Sequence, residues 1–199
     1  SHLDLARAWE RVFRRAGLSV AYSQGFNPRP RFQIAAALPV GVTGRAELLD
    51  VWLDQALSPV DLEARVQPVL PCGLDVLDVV VVDLRGPSLQ SQLRTADYCA
   101  IARSGEPVEA IRTRIQALLD MPTIPRQRHQ KGRWQSYDLR PLIRSVAVDP
   151  APDGAWVLRM RLQASPQGAG RPGEVLDALG LTLAPHSIER ANLSFEFDK

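Results

Sequence analysis

The order of strand-like and helix-like segments in the second half of the chain constrains the fold more than any other feature. Trp156–Gln163 alternates an apolar series with one that includes Arg159 and Arg161, as in a strand buried on one face. Apolar residues at helical spacing follow Pro107 and, in a shorter segment, Pro172. The predicted order is strand, helix, strand, strand, helix, strand, represented by Asp97–Arg103, Val108–Leu119, Asp138–Val148, Trp156–Gln163, Pro172–Leu179 and Leu193–Phe197. Because Pro141 interrupts the second of these strands, we expect that strand at an edge or with a bulge.

The first half of the chain repeats this order without its first strand. Its predicted helix, strand, strand, helix and strand are Leu5–Ala16, Phe32–Leu38, Glu47–Leu53, Ser58–Leu70 and Leu74–Leu84. A βαββαβ order is that of the ferredoxin-like fold. We therefore predict an α+β protein of tandem ferredoxin-like units with antiparallel sheets, in which the first strand of the first unit is missing. Either that strand lies upstream of Ser1, or the stretch Val20–Ser23 takes its place.

The domain boundaries follow from this repeat. We predict a truncated N-terminal unit at residues 1–84, a polar linker at residues 85–95 and a C-terminal unit at residues 96–199. The longest apolar runs, Ile34–Leu38 and Val79–Val82, are too short to span a membrane. Cys72 and Cys99 stand alone, outside any zinc or iron–sulfur pattern, so we expect two buried, reduced thiols in a cytoplasmic protein without a resident metal or cofactor.

Charge is distributed unevenly although the formal net charge is only +2. Residues 1–46 carry seven Arg against Asp4 and Glu10, and residues 123–144 carry five Arg and Lys131 against Asp138. Residues 47–85, between them, carry eight acidic residues against two Arg. Arginine offers a planar fork that suits phosphate and carboxylate groups.

Aromatic residues interleave with the basic ones in both basic stretches, Tyr22–Phe32 and Arg126–Tyr137. This pattern suits a nucleic-acid strand, because cations bind phosphates while rings stack on bases. Either stretch could instead be a solvated loop or a protein-docking loop. The candidate nucleic-acid-binding residues are Arg14, Arg15, Tyr22, Arg29, Arg31, Arg126, Arg128, His129, Lys131, Arg133 and Trp134.

Motifs that would name a reaction are missing from the sequence. It has no Walker loop, HExxH, GxSxG or dinucleotide fingerprint, so we assign no catalytic residue. Gly168–Gly173 precedes a helix and is either an ordinary loop or a phosphate-binding one. A neutral His129 could act as a general base in RNA cleavage, although the sequence identifies no partner acid.

Several segments resemble one known family. They are Ser1–Leu5, Arg11–Leu18, Val20–Pro28, Leu38–Gly41, Asp138–Ile143, Arg171–Pro172 and Ile188–Arg190. In these segments the chain resembles the radical-SAM-linked family, a bacterial domain of unknown function encoded beside or fused to radical-SAM proteins. Ser19 and Arg29 depart from the Pro and His that the family pattern has, and family members carry a strand before the first motif. The resemblance implies a cytoplasmic accessory to a radical-SAM protein, and not the radical enzyme itself, because the three-Cys loop is missing.

Three hypotheses about function follow. The first is a non-catalytic module that presents a substrate, structured RNA in particular, to a radical-SAM partner. The second is a metal-independent endoribonuclease that uses His129, since tandem ferredoxin-like units with a glycine-rich loop also resemble CRISPR repeat-processing enzymes. The third is a protein-interaction module in which the acidic region Glu47–Asp83 and the Trp52 face bind the partner.

Overall fold

A computed structural model describes residues 2–102, 106–130, 132–151, 155–181 and 187–196. The chain divides into two compact units. The first unit contains Ser1–Ala37 and Glu47–Gln90, and the second contains Leu38–Ala46 and Ser91–Lys199. The boundary between Gln90 and Ser91 falls inside the predicted linker of residues 85–95, whose last residues are helix and strand.

Helices and strands are numbered in chain order. The α-helices are α1 (His2–Arg15), α2 (Pro59–Val66), α3 (Leu89–Gln92), α4 (Val108–Asp120) and α5 (Pro172–Ala178). The strands are β1 (Phe32–Ile34), β2 (Val42–Gly44), β3 (Leu49–Val51), β4 (Leu93–Ala102), β5 (Pro125–Gln130), β6 (Arg133–Asp138), β7 (Ile143–Pro150), β8 (Trp156–Ser165), β9 (Gly168–Ala169) and β10 (Ile188–Phe195). Short 3₁₀ turns follow α2 at Gln67–Val69 and precede β7 at Arg140–Leu142. None of the described helices is long and apolar enough to cross a membrane.

The first unit is built around the apolar face of α1. Val12 and Phe13 of this helix are buried, and the Phe13 ring packs edge-on against Phe32 of β1, with ring centroids 5.5 Å apart. β1 pairs antiparallel with β3, so that Phe32 stands opposite Val51. Val20 bridges to Leu53 just beyond β3, so part of the stretch that was expected to replace a missing strand does pair there.

The prediction of a strand at Leu74–Leu84 is wrong. This segment, which we call the extended segment, has no regular secondary structure in the described chain. Its β-branched composition favours an extended backbone, but a strand forms only where a neighbouring strand supplies hydrogen bonds. The regular pairing found among the described residues of the first unit is that of β1 with β3.

The second unit contains a mixed sheet in the order β2-β10-β4-β8-β7, with β9 paired to β8. β2 is parallel to β10, and the other neighbours in that order are antiparallel. Without β2, the elements β4, α4, β7, β8, α5 and β10 follow a βαββαβ order, and the β5–β6 hairpin is inserted between α4 and β7. β7 lies at the edge, with a register shift between Ile143 and Ser145, as Pro141 predicts. The first unit shows no second sheet of this kind in its described residues, so the tandem repeat stays a prediction.

The alternation of buried and exposed side chains along the central strands shows where the core of the second unit lies. Leu158, Met160 and Leu162 of β8 are buried, whereas Arg161 points away from the core and pairs with Asp97 at 2.7 Å. α4 contributes buried residues at helical spacing, Ile111, Ile115 and Leu118. Burying such side chains stabilises the unit by about 1.5–3 kcal/mol each.

Candidate nucleic-acid interface

The second predicted basic stretch forms a regular hairpin. β5 and β6 pair antiparallel from Pro125↔Asp138 to Gln130↔Arg133, and we call Pro125–Asp138 the basic hairpin. Gly132, in the turn between β5 and β6, has a φ of +75°, where a side chain would be strained. Lys131, a predicted site residue, lies outside the described residues. The hairpin forms a two-stranded sheet of its own.

Buried contacts close the base of the basic hairpin. Asp138 Oδ1 accepts hydrogen bonds from the backbone N–H of Ile124 at 2.7 Å and of Arg140 at 2.9 Å. The N–H of Leu139 donates to the Ile124 carbonyl at 2.9 Å, and the Leu139 side chain is fully buried. A carboxylate that accepts two backbone hydrogen bonds holds the chain firmly, so the position of the hairpin base is fixed.

One face of the basic hairpin carries its arginines. Opposite residues of an antiparallel pair share a face, so the pairs Arg126↔Tyr137, Arg128↔Gln135 and Gln130↔Arg133 place Arg126, Arg128 and Arg133 on the same side. The guanidinium carbon of Arg128 lies 4.1 Å from the centre of the Tyr137 ring. This cation–π contact orients the half-buried guanidinium group, whose planar fork of N–H donors suits an anion.

Tyr137 joins the basic hairpin to helix α5. Its hydroxyl donates a hydrogen bond to Glu174 Oε2, and Arg171 lies 4.0 Å from the other carboxylate oxygen. The pKa of Tyr137 is raised to about 12, and burial is the largest cause. The hydrogen bond to Glu174 and the negative charge of Glu174 also raise it. The positive charges of Arg128 and Arg171 lower this pKa, but by less. The phenol therefore stays protonated at neutral pH and acts as a fixed donor.

Arg126 carries a donor that the protein leaves unused. Its Nη1 donates to the Pro125 carbonyl at 3.1 Å. Its Nε is buried and makes no hydrogen bond within the described part of the chain. A buried N–H without a partner costs about 1–3 kcal/mol, and an anion that reached it would remove this cost.

The opposite face of the basic hairpin carries its exposed aromatic residue. Trp134 is 71% exposed, and its ring lies 5.4 Å from the His129 ring at an angle of 59°. His129 is exposed as well, and no hydrogen bond among the described residues orients its imidazole. The exposed indole of Trp134 offers a flat face on which a base could stack.

The first predicted basic stretch has a different geometry. Ser19–Arg31, which we call the basic loop, is closed by backbone hydrogen bonds from Ser23 N–H to Arg29 at 2.8 Å and from Arg31 N–H to Ala21 at 2.7 Å. Arg31 stacks over the Trp52 ring at 4.8 Å. Tyr22 is 56% exposed, and Phe26 at the tip is fully exposed.

The structure separates the remaining predicted residues of the first unit. Arg14 and Arg15 are exposed in the last turn of α1, and Arg15 lines a shallow groove together with Arg11 and Pro71. Arg29 lines another groove, beside Arg7 of α1. The eleven predicted residues thus belong to two units, and it is the basic hairpin that holds several of them in one regular arrangement.

Tyr137 ends the predicted basic and aromatic stretch Arg126–Tyr137, but it was not among the candidate binding residues, and neither were Glu174 and Arg171. The separation of 37 residues between Tyr137 and Glu174 leaves no local signal for their contact, which the fold alone creates. The glycine-rich segment has a packing role: a Cβ at Gly170 would lie 3.1 Å from the Leu142 carbonyl oxygen and 3.2 Å from the Leu162 Cβ. Among the described residues, no group of three His, Cys, Asp or Glu side chains could hold a metal ion. The expectation that both cysteines are buried is wrong, because Cys72 is exposed and Cys99 is half-buried.

Comparison with known proteins places the chain in a family without assigning it an activity. Residues 1–172 match the family described as "Uncharacterized protein conserved in bacteria (DUF2344)". The sequence matches no curated protein. The match covers most of the chain, so this protein belongs to the DUF2344 family of uncharacterized bacterial proteins.

Proposed function

We propose that this protein is a non-catalytic RNA-binding module and that the basic hairpin is its binding element. The observation that carries the proposal is the division of the hairpin into an arginine face and an aromatic face. Arg126, Arg128 and Arg133 bind phosphates on one side, while Trp134 and His129 stack against bases on the other.

Such a two-sided element suits an RNA loop or bulge. Base-specific contacts are hard to make within A-form RNA, because its major groove is deep and narrow. In a loop or bulge, unpaired bases turn outward beside a continuous phosphate backbone. A hairpin that enters there binds the backbone with one face and an unpaired base with the other.

We further propose that the bound RNA is presented to a radical-SAM protein in the cytoplasm. The radical-SAM partner is proposed from the sequence resemblance. The cytoplasmic location is proposed because Cys72 and Cys99 are free cysteines, as is usual in a reducing compartment. The proposed scaffold is a pair of ferredoxin-like units, for which the βαββαβ order of the second unit is the support. Its inserted hairpin is the part that we expect to carry the RNA.

The experiment is a binding titration over a salt series. We would measure fluorescence anisotropy of a labelled stem-loop with an unpaired loop of about 12 nucleotides, and of its fully paired counterpart. Three phosphate contacts predict that log K falls against log salt concentration with a slope of about −2. The R126A/R128A/R133A variant should lose most of this slope. R112A, which removes an exposed ion-paired arginine of α4, is the matched control and should retain it.

Other outcomes would overturn the proposal. If the affinity for RNA does not depend on salt concentration, or if the triple variant binds as tightly as the wild type, the three arginines do not bind phosphates. Cleavage of the RNA that His129→Ala abolishes would instead establish the endoribonuclease hypothesis. A failure to bind either RNA would leave the protein-interaction hypothesis in its place.

A further inference from the structure

Two elements of the second unit bring charged side chains to the same tyrosine. Arg128 of the basic hairpin lies over the Tyr137 ring, with its guanidinium carbon 4.1 Å from the ring centre. The Tyr137 hydroxyl donates to Glu174 of α5, and Nη1 of Arg171, just before α5, lies 4.0 Å from the other oxygen of that carboxylate. Burial raises the pKa of Tyr137, and the positive charges of Arg128 and Arg171 both act on the phenol in the opposite direction. Arg171 therefore adjoins the arginine face of the basic hairpin.

Elsewhere in the second unit, arginines are held by carboxylates at short distances. Those that pair with an acidic side chain at 2.6–2.9 Å are Arg94, Arg112, Arg114 and Arg161. By contrast, Arg126 donates to a backbone carbonyl and Arg128 stacks on a ring, and neither forms an ion pair within the described part of the chain. Arg171 approaches Glu174 only at 4.0 Å. The cations around Tyr137 thus keep most of their charge for an external anion.

The hold of Glu174 on Arg171 is weak for two reasons. Their separation of 4.0 Å is longer than a hydrogen bond, and the Arg171 side chain is 56% exposed, so water screens the attraction. The Tyr137 hydroxyl already binds Oε2 of the carboxylate and takes up part of its charge. Arg171 can therefore direct its planar fork to a phosphate without breaking a strong interaction.

The arginine face of the hairpin leads toward Arg171. From the turn to the base, this face carries Arg133, then Arg128, then Arg126 with Tyr137 opposite it. The first and the last of these positions are four residue steps apart along β5, or about 14 Å. Arg171 follows them at the base, where Tyr137 contacts α5. The cations thus form a row that begins on the hairpin and ends on the segment before α5.

We propose that Arg171 is a further phosphate-binding residue, so that the RNA backbone follows the arginine face from the turn to the base and continues to Arg171. This inference rests on the RNA binding proposed for the hairpin and lengthens the bound strand by one phosphate contact. Glu174 then has an opposing role, because its negative charge lies beside the same phosphate and repels it. Its contact with Tyr137 fixes the position of the base of the hairpin relative to α5.

The test extends the salt series to variants of Arg171, with the same labelled stem-loop. A fourth phosphate contact steepens the expected slope of log K against log salt concentration from about −2 to about −2.8. R171A should return the slope to about −2 and lower the affinity about fivefold at about 0.1 M salt, whereas R171K should keep the slope. R112A is the matched control, because Arg112 also pairs with a glutamate three residues away, and it should change neither quantity.

A second pair of variants tests the opposing role of Glu174. E174Q removes the negative charge and keeps an oxygen that can accept from the Tyr137 hydroxyl, so it should raise RNA affinity at least about twofold, most strongly at low salt. E109Q makes the same change beside Arg112 and should leave affinity unchanged. Thermal midpoints close to that of the wild type would show that each variant is folded.

The outcomes separate this inference from the function on which it rests. If R171A keeps the slope and affinity of the wild type while R126A/R128A/R133A loses both, Arg171 binds no phosphate and the function of the hairpin stands. The inference is also overturned if R112A loses as much affinity as R171A, or if a folded E174Q variant binds RNA more weakly than the wild type. If the triple variant binds like the wild type, or if the stem-loop is not bound at all, the proposed function fails and the inference fails with it.

Discussion

The basic hairpin and the basic loop have similar compositions but present different surfaces. Both combine arginines with exposed aromatic rings. In the hairpin, six residue pairs connect the two strands, and successive side chains lie on alternate faces. Arg126 and Arg128 therefore lie on one face and Trp134 on the other. In the loop, Pro28 and Pro30 lack the N–H groups that a continuous ladder needs, and Arg31 stacks over Trp52.

This difference shows that composition alone can suggest which stretch binds a ligand. Whether the side chains of that stretch form one surface depends on a regular backbone. A strand places every second side chain on one face at a fixed spacing. Two short hydrogen-bonded connections close the loop but set no such spacing. We therefore expect RNA to distinguish the hairpin from the loop, and the following experiments test that difference.

Charge reversal should give the largest effect. R126E/R128E/R133E replaces three phosphate-binding cations by repulsive anions and should lower RNA affinity at least about 100-fold at about 0.1 M salt. R14E/R15E/R29E makes the same change in net charge in the first unit, at exposed positions, and should lower affinity less than about fivefold. Anisotropy titrations at matched salt measure both. Equal losses would mean that net charge, rather than the hairpin, determines binding.

Removal of the stacking ring should give the second largest effect. W134A should weaken binding of a stem-loop by about 5- to 150-fold, because one stacked base contributes about 1–3 kcal/mol. F26A removes an even more exposed ring from the tip of the basic loop and should leave affinity unchanged. The comparison fails if the Phe26 variant loses as much affinity as the Trp134 variant.

Distortion of the turn should give a smaller effect. Gly132 has a φ of +75°, so G132V should strain the turn by about 1–2 kcal/mol and lower RNA affinity about fivefold through a less ordered hairpin. Gly25, in the basic loop, has a φ of +140°, and G25V strains that loop in the same way. Affinity for RNA should respond to the first substitution and not to the second.

The smallest effect concerns alkaline stability. Because the pKa of Tyr137 is raised to about 12 from its ordinary value of 10.0, the folded protein holds this proton more tightly than the unfolded chain does. The associated stability is fully present below pH 10 and is lost as the pH rises through about 12. Y137F should flatten the decline in the free energy of unfolding over this range, as measured by urea titrations. An unchanged decline would show that burial and the contact with Glu174 do not make the folded protein hold the Tyr137 proton more tightly.

Local pattern predicted the second unit better than the first. The strict alternation of Trp156–Gln163 fixed which side chains of β8 are buried, and Pro141 placed β7 at an edge. Leu74–Leu84 was mispredicted because its strand propensity is local, whereas strand formation depends on a partner that no local pattern reveals. The addition of β2 to the edge of the sheet beside β10 was unpredictable for the same reason, since residues 42–44 and 188–190 pair over a long sequence separation.

The site was predictable in composition but not in geometry. Arg126, Arg128, Arg133 and Trp134 were identified from basic and aromatic interleaving. Their separation onto two faces depends on the register set by the turn at Gly132, and the contact of Tyr137 with Glu174 depends on the tertiary fold. Sequence alone could not determine either feature, because both follow from backbone pairing rather than from residue type.

The most direct test of the RNA-binding hairpin is a backbone amide NMR titration of the isotope-labelled full chain with the stem-loop RNA. We predict that chemical-shift changes concentrate in residues 126–137 and in Arg171 and Glu174 of the adjoining segment, with residues 19–31 largely unaffected. Changes confined to residues 19–31, or no changes at RNA concentrations that saturate the anisotropy signal, would contradict the account.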